Sequence, residues 1–460
     1  MTETVKIISP IDGSVYAERP VANGVEIEAA VVRARAGRNA WGEVTVAERA
    51  KIMTHFVDAL AGMNDEIVPE LAWQMGRPIR FGGEKRGVEE RSRYMISIAE
   101  EALAPSVKAG KEGFTRYITR EPLGLVMVIA PWNYPYLTAV NSIVPGLMAG
   151  NAVLLKHASQ TLLVGERFAE AGRRAGLPEG LFQNLVMSHG DTEKLIGSGA
   201  IDHINFTGSV EGGRRIEKAA AGTFATLGLE LGGKDPAYVR EDADLAHSIE
   251  NLVDGSFFNS GQSCCGVERI YVHEGVYDAF VEGFVDNARG WTLGNPLEES
   301  TIVGPMARPQ FADVVRGQKE EALRKGATAH LGTHHPLDKA GSPYLAPEVL
   351  TNVNHQMAVM REESFGPIVG IMKVRDDAEA ITLMNDSPYG LTASIWTRDI
   401  EAAGRIGAKV ETGTVFANRC DYLDPALVWT GVKDTGKGGA LSEIGYANLT
   451  QPKSYHLRHI

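Results

Sequence analysis

One cysteine of this chain stands in a context that suits a nucleophile. Cys264 closes the segment 257–264 (FFNSGQSC), in which a Gly-Gln pair indicates a turn just before the cysteine. A turn can present a thiolate to a cleft, and a thiolate attacks carbonyl carbons. The alternative is a small buried core residue, the usual place of a single cysteine. The context favours the nucleophile.

A glutamate supplies the second candidate for chemistry. Glu230 lies at the end of an apolar run, where burial would raise its pKa toward neutrality. A carboxylate with a near-neutral pKa suits a general base that takes a proton from water. A helix cap or an ion pair is the alternative role for this residue.

The other cysteines and the paired histidines are assigned structural roles. Cys265 is one residue beyond the attacking position and is interpreted as a packing residue rather than a redox partner. Cys420 is interpreted as structural. His334 and His335 have no Cys or His at metal-ligand spacing, so we expect a solvated loop there and no metal site.

Three further segments are weak candidates. Residues 228–235 (GLELGGKD) and 431–438 (GVKDTGKG) approach the phosphate-loop pattern, but neither has the Ser or Thr that would follow its lysine. A G-x-G-x-x-G fingerprint is absent from the sequence. The mixed-charge stretch 84–93 is interpreted as a solvated helix face.

The composition is that of a globular protein. The 460 residues are 44% hydrophobic and 23% charged, and their net charge is −12. This charge disfavours nucleic acid or an anionic membrane as partner. The sequence shows neither an apolar run long enough for a spanning helix nor a signal-peptide pattern at its start. With only three cysteines, the chain is predicted to be cytoplasmic.

The candidate residues must be positioned by an alternation of strands and helices. Short apolar runs predict strands at 123–130, 152–155, 184–187 and 201–206, and helical spacing predicts surface helices at 46–62 and 86–104. A second series of predicted strands lies at 270–273, 367–374, 391–397 and 413–417, with helices at 275–290 and 376–386. This rhythm predicts an α/β fold with two Rossmann-like lobes. The polar, β-branched segment 105–122 suits a small β arm.

Five motifs, in order along the chain, resemble those of the aldehyde dehydrogenase superfamily. They are 131–135 (PWNYP), 206–209 (FTGS), 230–234 (ELGGK), 257–264 (FFNSGQSC) and 362–367 (EESFGP). The resemblance extends from about residue 9 to residue 454. It implies an NAD(P)-dependent enzyme of the hydrolytic, non-acylating type, which oxidises an aldehyde to the carboxylic acid without a metal.

The resemblance assigns catalytic roles to three residues. Cys264 matches the attacking cysteine, and its backbone N–H with the Asn133 side chain would stabilise the oxyanion. Glu230 matches the glutamate that activates the water for thioester hydrolysis. Relatives that transfer the acyl group to coenzyme A generally lack this glutamate. Turn capping by Asn133, a reductase working in reverse, and a catalytically silent binding protein are the alternatives.

The resemblance also assigns a cofactor site along the first sheet. Ser209 matches the serine at the pyrophosphate, Lys156 the lysine at the adenosine ribose, and Glu363 the glutamate at the nicotinamide ribose. Surface charges are the alternative for the lysine and the glutamate. Ser159 stands where strictly NAD-preferring members often carry Glu, so NADP should be accepted or preferred. The remaining predicted cofactor residues are Ile129, Ala130, Pro131, Trp132, Gly208, Leu231 and Phe365.

Two departures from the family pattern bear on the substrate. Members specific for succinate semialdehyde carry arginines at the positions of Asn141 and Phe258, and both cations are missing here. A carboxylate would enter unpaired, so we expect a neutral aliphatic or aromatic aldehyde. A semialdehyde recognised without arginine is the alternative. The residues predicted to line the substrate pocket are Tyr134, Leu137, Phe258, Phe416 and Trp429.

Domain limits and assembly follow from the same resemblance. Residues 1–104 and 123–231 should bind the cofactor, and 232–434 should carry Cys264. The arm 105–122 and the tail 435–460 should pair with a neighbouring subunit, since an isolated two-stranded arm is poorly stable. A homodimer or homotetramer is therefore expected. Gly439-Ala440 stands where the family's glycine-rich segment usually ends in Arg-Glu, a glutamate with a supporting role in some members, so water activation should rest more fully on Glu230.

Overall fold

The computed structural model describes residues 3–332 and 335–460 as an α/β protein. Its strands in chain order are β1 (Thr4–Ile8), β2 (Val15–Pro20), β3 (Ser106–Val107), β4 (Phe114–Pro122), β5 (Leu125–Ala130), β6 (Ala152–His157), β7 (Phe182–Asn184), β8 (His203–Thr207), β9 (Thr226–Glu230), β10 (Asp235–Val239), β11 (Val267–His273), β12 (Thr328–Ala329), β13 (Glu348–Thr351), β14 (Ile368–Val374), β15 (Tyr389–Gly390), β16 (Thr392–Trp396), β17 (Thr414–Ala417), β18 (Val432–Lys433), β19 (Gly436–Lys437) and β20 (Thr450–Arg458).

Its α-helices are α1 (Gly24–Gly42), α2 (Val46–Ala61), α3 (Asn64–Met75), α4 (Lys85–Ala102), α5 (Pro135–Met148), α6 (Leu162–Ala175), α7 (His189–Gly197), α8 (Val210–Ala220), α9 (Leu245–Phe257), α10 (Tyr277–Ala288), α11 (Pro309–Arg324), α12 (Ala358–Arg361), α13 (Asp377–Asn385), α14 (Ile400–Gly407) and α15 (Ser442–Asn448). Short 3₁₀ turns lie at Ile79–Phe81, Ser159–Thr161 and Phe258–Gly261. No helix within 3–332 or 335–460 is both long and apolar enough to cross a membrane.

The first sheet has the strand order β19-β9-β8-β5-β6-β7. Its strands are parallel except β19, and every residue of β5 and β6 is buried. Continuous apolar runs form such central strands because helices cover both faces of the sheet. The chain leaves β5 toward β6 on one side and returns to β8 on the other. That reversal opens a crevice at the carboxyl ends of the strands.

The second sheet has the order β12-β13-β14-β11-β10-β16-β17 and is parallel except for β12. Separate hydrophobic clusters pack on its two faces. Two largely parallel sheets with covering helices confirm the α/β prediction. The segment that carries Cys264 leads into β11, so this sheet positions the candidate nucleophile.

The arm and the tail pair with each other. β4 and β20 form an antiparallel ladder from Pro122 opposite Thr450 to Phe114 opposite Arg458, and β3 adds a third strand. The arm and the tail are predicted to pair with a neighbouring subunit. In the structure, strand β4 of the arm pairs with strand β20 of the same chain's tail. A contact of this sheet with another subunit stays a prediction.

Most predicted elements lie where the sequence placed them, and one is displaced. The segment 184–187 was predicted as a strand, but β7 covers Phe182–Asn184 and residues 185–187 are loop. The backbone of Leu185 donates a hydrogen bond to the carbonyl of Leu155 as it leaves the sheet. Apolar side chains in that loop produced a strand pattern because the loop packs against the first core.

Candidate active site

The segment that precedes Cys264 is held in an unusual backbone conformation. Three consecutive residues, 259–261, have φ values of 53°, 58° and 69°. A Cβ at Gly261 would lie 2.3 Å from the carbonyl oxygen of Gly366, so only glycine fits there. The side chain of Gln262 braces the turn, since its Oε1 accepts from the backbone N–H of Ala307 at 2.8 Å. Two left-handed non-glycine residues and a braced turn mark strain held near a functional site.

Cys264, Glu230 and Asn133 line one cavity of about 280 Å³. The parallel strands bring them together because β5 and β9 end at the same edge of the first sheet, on either side of β8. Seven predicted cofactor residues line the same cavity: Pro131, Trp132, Gly208, Ser209, Leu231, Glu363 and Phe365. The cavity therefore holds a thiol, a carboxyl and a side-chain amide in one space.

Asn133 is fixed by hydrogen bonds at both its backbone and its side chain. Its Nδ2 donates to the carbonyl oxygen of Gln262 at 3.2 Å, next to the nucleophile turn. Its own carbonyl oxygen accepts from Nη2 of Arg77 at 2.7 Å and from Nδ2 of Asn259 at 3.1 Å. A fixed amide beside the thiol is the kind of donor that stabilises an oxyanion.

Glu230 is enclosed at the end of β9. Burial raises the pKa of its carboxyl to about 7, against a smaller opposing effect of a hydrogen bond from Thr207. The Thr207 hydroxyl donates to Oε2 at 3.3 Å. This is the direction expected from its place after an apolar run. A carboxyl of this pKa can exchange protons with water near neutral pH.

Glu363 and Lys234 belong to a second buried charge cluster. Burial raises the pKa of Glu363 to about 8, and its Oε1 accepts from the backbone N–H of Gly233 at 3.0 Å. The Nζ of Lys234 is 2.6 Å from Oε2 of Glu268 and 2.8 Å from Oγ of Ser364. The lysine of the phosphate-loop-like segment is thus used in an internal ion pair.

A second cavity, of about 380 Å³, adjoins the first. Both are lined by Pro131, Trp132, Thr207, Gly208, Ser209 and Phe311. The second adds the four remaining predicted cofactor residues, Ile129, Ala130, Lys156 and Ser159. Ser209 caps α8, whose first turn borders this cavity, and a helix N-terminus attracts anions. Together the cavities form an elongated space from Lys156 to Cys264.

The cavities also contain residues that sequence analysis missed. Nη2 of Arg308 donates to Oγ of Ser159 at 3.3 Å, and Arg215 and His189 line the same cavity. Phe311 stacks on Trp132 with ring centroids 5.3 Å apart. No local pattern marks these residues, because they come together only where segments far apart in the chain meet at one cavity.

Residues 1–455 match the Aldehyde dehydrogenase family. The chain belongs to this family. A succinate-semialdehyde dehydrogenase [NADP(+)] of Mycolicibacterium paratuberculosis is 34% identical over 454 residues, covering 98% of this chain and 96% of the relative.

Other members of the family show how far the likeness extends. A 3,6-anhydro-alpha-L-galactose dehydrogenase of Streptomyces coelicolor is 33% identical over 460 residues, covering 99% of this chain and 93% of the relative. The crystal structure of PnpE in complex with nicotinamide adenine dinucleotide superposes with a TM-score of 0.94 at 28% identity, covering 99% of this chain and 94% of the other. Relatives of similar identity thus carry names with different substrates.

The residues predicted to contact the aldehyde lie outside both cavities. Phe258 packs edge-on against Phe81, and Tyr134 lies beneath the Arg77 guanidinium. Leu137 lies on α5 and packs against Gly87, and Phe416 lies on β17. The backbone of Trp429 pairs with that of Ala440. Their role in this aldehyde dehydrogenase stays a prediction.

The structure shows the surroundings of Cys265, Cys420 and His335. Cys265 is buried, and its thiol donates to Oδ1 of Asp421 at 2.9 Å. Cys420 packs against the second sheet, with its thiol 3.5 Å from the carbonyl oxygen of Asn251. His334 lies outside the described residues, and Nδ1 of His335 accepts from the backbone N–H of Leu337 at 3.3 Å. Over 3–332 and 335–460, no cluster of three potential metal ligands occurs.

The interpretation of 84–93 as a solvated helix face is wrong at two positions. Glu84 is buried in an ion pair with Arg77, and Arg91 points inward from α4. The carboxylate of Glu84 accepts from the backbone N–H groups of Tyr136 at 3.0 Å and Leu137 at 2.8 Å. Glu84 therefore holds two groups in place, the start of α5 and the guanidinium of Arg77. A mixed-charge pattern cannot distinguish a solvated residue from one that a neighbouring segment covers.

Glu84→Gln tests this anchor. The substitution leaves Arg77 buried without its countercharge, so we expect a loss of about 3–5 kcal/mol in the free energy of unfolding. Chemical denaturation measures it. Glu89→Gln is the matched control in the same charged stretch, because the pair of Glu89 with Arg93 is partly exposed and its loss should cost about 1 kcal/mol or less. Equal losses in the two variants would contradict the anchoring role.

Proposed function

We propose that this chain oxidises an aldehyde to the carboxylic acid with NAD or NADP, through a thioester on Cys264 that water hydrolyses. The observation that carries the proposal is the shared cavity of Cys264, Glu230 and Asn133, which opens into the cavity of the predicted cofactor residues. Membership of the aldehyde dehydrogenase family and the cofactor names of its relatives support it.

The two adjoining cavities fit a dinucleotide. The α8 N-terminus and Ser209 suit the pyrophosphate, and Lys156 with Ser159 suits the adenosine ribose. Glu363 and Phe365 would flank the nicotinamide end beside Cys264. A Cβ at Gly232 would lie 2.3 Å from Oε2 of Glu363, so the backbone closes tightly on that carboxyl. When bound, the dinucleotide accepts a hydride.

The chain's own residues account for the bond-making steps. The Cys264 thiolate attacks the aldehyde carbon, and the Asn133 amide with the Cys264 N–H stabilises the oxyanion. Loss of hydride leaves a thioester on Cys264. Glu230 takes a proton from water, which attacks the thioester and releases the acid and the thiolate. Gly439-Ala440 supplies no carboxylate, so this step rests on Glu230.

The proposed domains correspond to the two sheets. The first, with the α8 N-terminus, is proposed as the cofactor-binding domain (1–104 and 123–231), and the second as the catalytic domain (232–434). The β4–β20 sheet is proposed to contact a neighbouring subunit in a homodimer or homotetramer. A reducing, cytoplasmic compartment suits a mechanism that needs a free Cys264 thiol.

Cys264→Ala tests the class of reaction. Absorbance of reduced nicotinamide should rise when wild-type protein meets NAD(P)⁺ and an aldehyde. Cys264→Ala should abolish this rise, because Cys264 is the cysteine that lines the cavity with Glu230 and Asn133. Cys420→Ala, which lies outside both cavities, should retain turnover. One fast-reacting thiol, absent from Cys264→Ala, is expected with iodoacetamide. Aldehyde oxidation by Cys264→Ala would refute the mechanism.

Glu230→Gln tests the hydrolytic step. We expect a burst of reduced nicotinamide followed by turnover roughly 10²- to 10⁴-fold slower, since only hydrolysis needs the base. Stopped-flow absorbance separates the two phases. In the wild type, turnover should fall below about pH 7, where the Glu230 carboxyl takes up a proton and stops acting as a base. Thr207→Val should move this limb to higher pH. Loss of the burst itself in Glu230→Gln would contradict the assignment.

Ser159→Glu tests the cofactor preference. A carboxylate there would repel the 2′-phosphate of NADP, so kcat/KM for NADP should fall relative to NAD by roughly 10- to 100-fold. Ser159→Gln is the control of equal size without the charge. If the two substitutions change the NADP-to-NAD ratio equally, charge at this position does not select the cofactor.

A further inference from the structure

A third cavity, of about 330 Å³, lies between the first sheet and the tail. We call it the tail cavity. Strands β8 and β9 form one wall, with His203, Asn205 and Gly228, and the tail forms the other. Glu230 lines the tail cavity and also lines the cavity of Cys264. Glu230 therefore lies between the two spaces.

The strand wall of the tail cavity carries a row of polar side chains. Alternate residues of β8 and β9 form the row in facing pairs: His203 with Thr226, Asn205 with Gly228, and Thr207 with Glu230. All of them lie on one face of the sheet, because successive side chains point to opposite faces. The covered faces of parallel strands are normally apolar. A polar row that runs about 13 Å along the strands, from Glu230 to the exposed Thr226, indicates a function rather than packing.

His203 fixes the orientation of the Asn205 amide. Burial lowers the pKa of His203 to about 4, so its ring is neutral near pH 7. Its Nε2 lies 3.1 Å from Oδ1 of Asn205, and its Nδ1 lies 2.6 Å from the hydroxyl of Thr226. An amide oxygen can only accept, so Nε2 donates to Asn205 and Nδ1 accepts from Thr226. The oxygen of the Asn205 amide is thereby occupied.

The amide nitrogen of Asn205 faces the tail cavity. Nδ2 makes no hydrogen bond with residues 3–332 or 335–460, and it is not among the buried nitrogens that lack a partner. A Cβ at Gly228 would lie 2.3 Å from Oδ1 of Asn205, so glycine leaves the space beside the amide open. Asn205 and Glu230 are two residues apart along the paired strands, about 7 Å, a gap that one water molecule spans. That water would accept from Nδ2 and donate to the carboxylate.

The tail cavity offers water an approach that the first cavity does not. During hydrolysis, the first cavity of about 280 Å³ would hold both the acyl group on Cys264 and the nicotinamide end of the dinucleotide. The tail contributes small residues to the wall of its own cavity, Gly438, Gly439 and Ala447, which leave room for water. Thr226 and Gln451, which also line the tail cavity, are exposed, so its far end reaches the surface.

We propose that the tail cavity is the route by which water reaches Glu230 and by which the proton of hydrolysis leaves, and that Asn205 positions this water. The inference rests on the proposed function. The water oxygen bonds to the thioester carbon, the carbon–sulfur bond breaks, and the acid and the Cys264 thiolate are released. Glu230 takes the proton that the water gives up and passes it to solvent in the tail cavity. Asn205 is a positioning residue, because it acts through the water.

The test measures acylation and hydrolysis separately and without a dinucleotide. p-Nitrophenyl acetate acylates a reactive cysteine, and absorbance of p-nitrophenolate gives the rate of that step. After rapid removal of the ester, intact mass spectrometry follows the decay of the acetylated protein. Asn205→Leu removes the donor at similar volume, so it should slow the decay roughly 10-fold and leave acylation unchanged. Asn205→Ser keeps a donor and leaves space for water, so it should recover most of the decay rate.

Two further variants separate the route from the local structure of β8. Ala447→Phe fills the tail cavity from the opposite wall and should slow the decay without altering the polar row. Asn184→Leu is the matched control. Asn184 lies on β7 of the same sheet, is half-buried and also faces a glycine, since a Cβ at Gly165 would lie 2.2 Å from its Oδ1. It lines none of the three cavities, so both rates should stay at the wild-type values.

Thermal unfolding of each variant checks that it is folded, and Ala447→Phe decides the matter if Asn205→Leu is not. Decay at the wild-type rate in either folded variant would overturn the inference. So would equal slowing of acylation and decay, which indicates a distorted site. A wild type that the ester acylates but that reduces no nicotinamide with any aldehyde would refute the proposed function, whereas the decay rates would still decide the water route.

Discussion

One buried ion pair joins the segments on which the candidate site depends. Arg77 bonds the carbonyl of Asn133 and the side chain of Asn259, while its partner Glu84 holds the first N–H groups of α5. The pair therefore connects the end of the first sheet with the turn that leads to Cys264. Two charges in such a place are stabilising only when every donor and acceptor around them is satisfied, and here they bond backbone groups on both sides.

The same low-polarity interior sets the protonation of the reactive groups. Burial raises the pKa of Glu230 to about 7 and that of Glu363 to about 8. Glu230 ends β9 and Glu363 lies in the loop before β14, and at both places burial disfavours the charged form of the carboxyl. In such surroundings a hydrogen bond is stronger than in water, so the bonds from Thr207 to Glu230 and from Gly233 to Glu363 hold these carboxyls in place.

Much of the fold was predictable because parallel sheets impose simple patterns. The buried strands β5 and β6 read as unbroken apolar runs, and the surface helices α2 and α4 show 3.6-residue spacing of their buried residues. The prediction failed where tertiary packing overrides local pattern. Residues 185–187 are apolar because their loop covers the core. The pairing of the tail strand β20 with β4, more than three hundred residues earlier, is a contact that no local pattern predicts.

The sequence by itself determined the family, the order of its motifs and the residue types that can carry the chemistry. Cys264, Glu230 and Asn133 could be named because their motifs match those of the family, and Cys264 and Glu230 also suit their roles by their place after a turn and at the end of an apolar run. Only the tertiary structure decided which charged side chains of the chain turn inward. Glu84 and Arg91 lie in a stretch whose mixed charges are typical of a solvent-exposed helix. Glu84 is buried against Arg77, and Arg91 bonds α5. Burial is a property of what covers a residue, and the covering segments are distant in sequence.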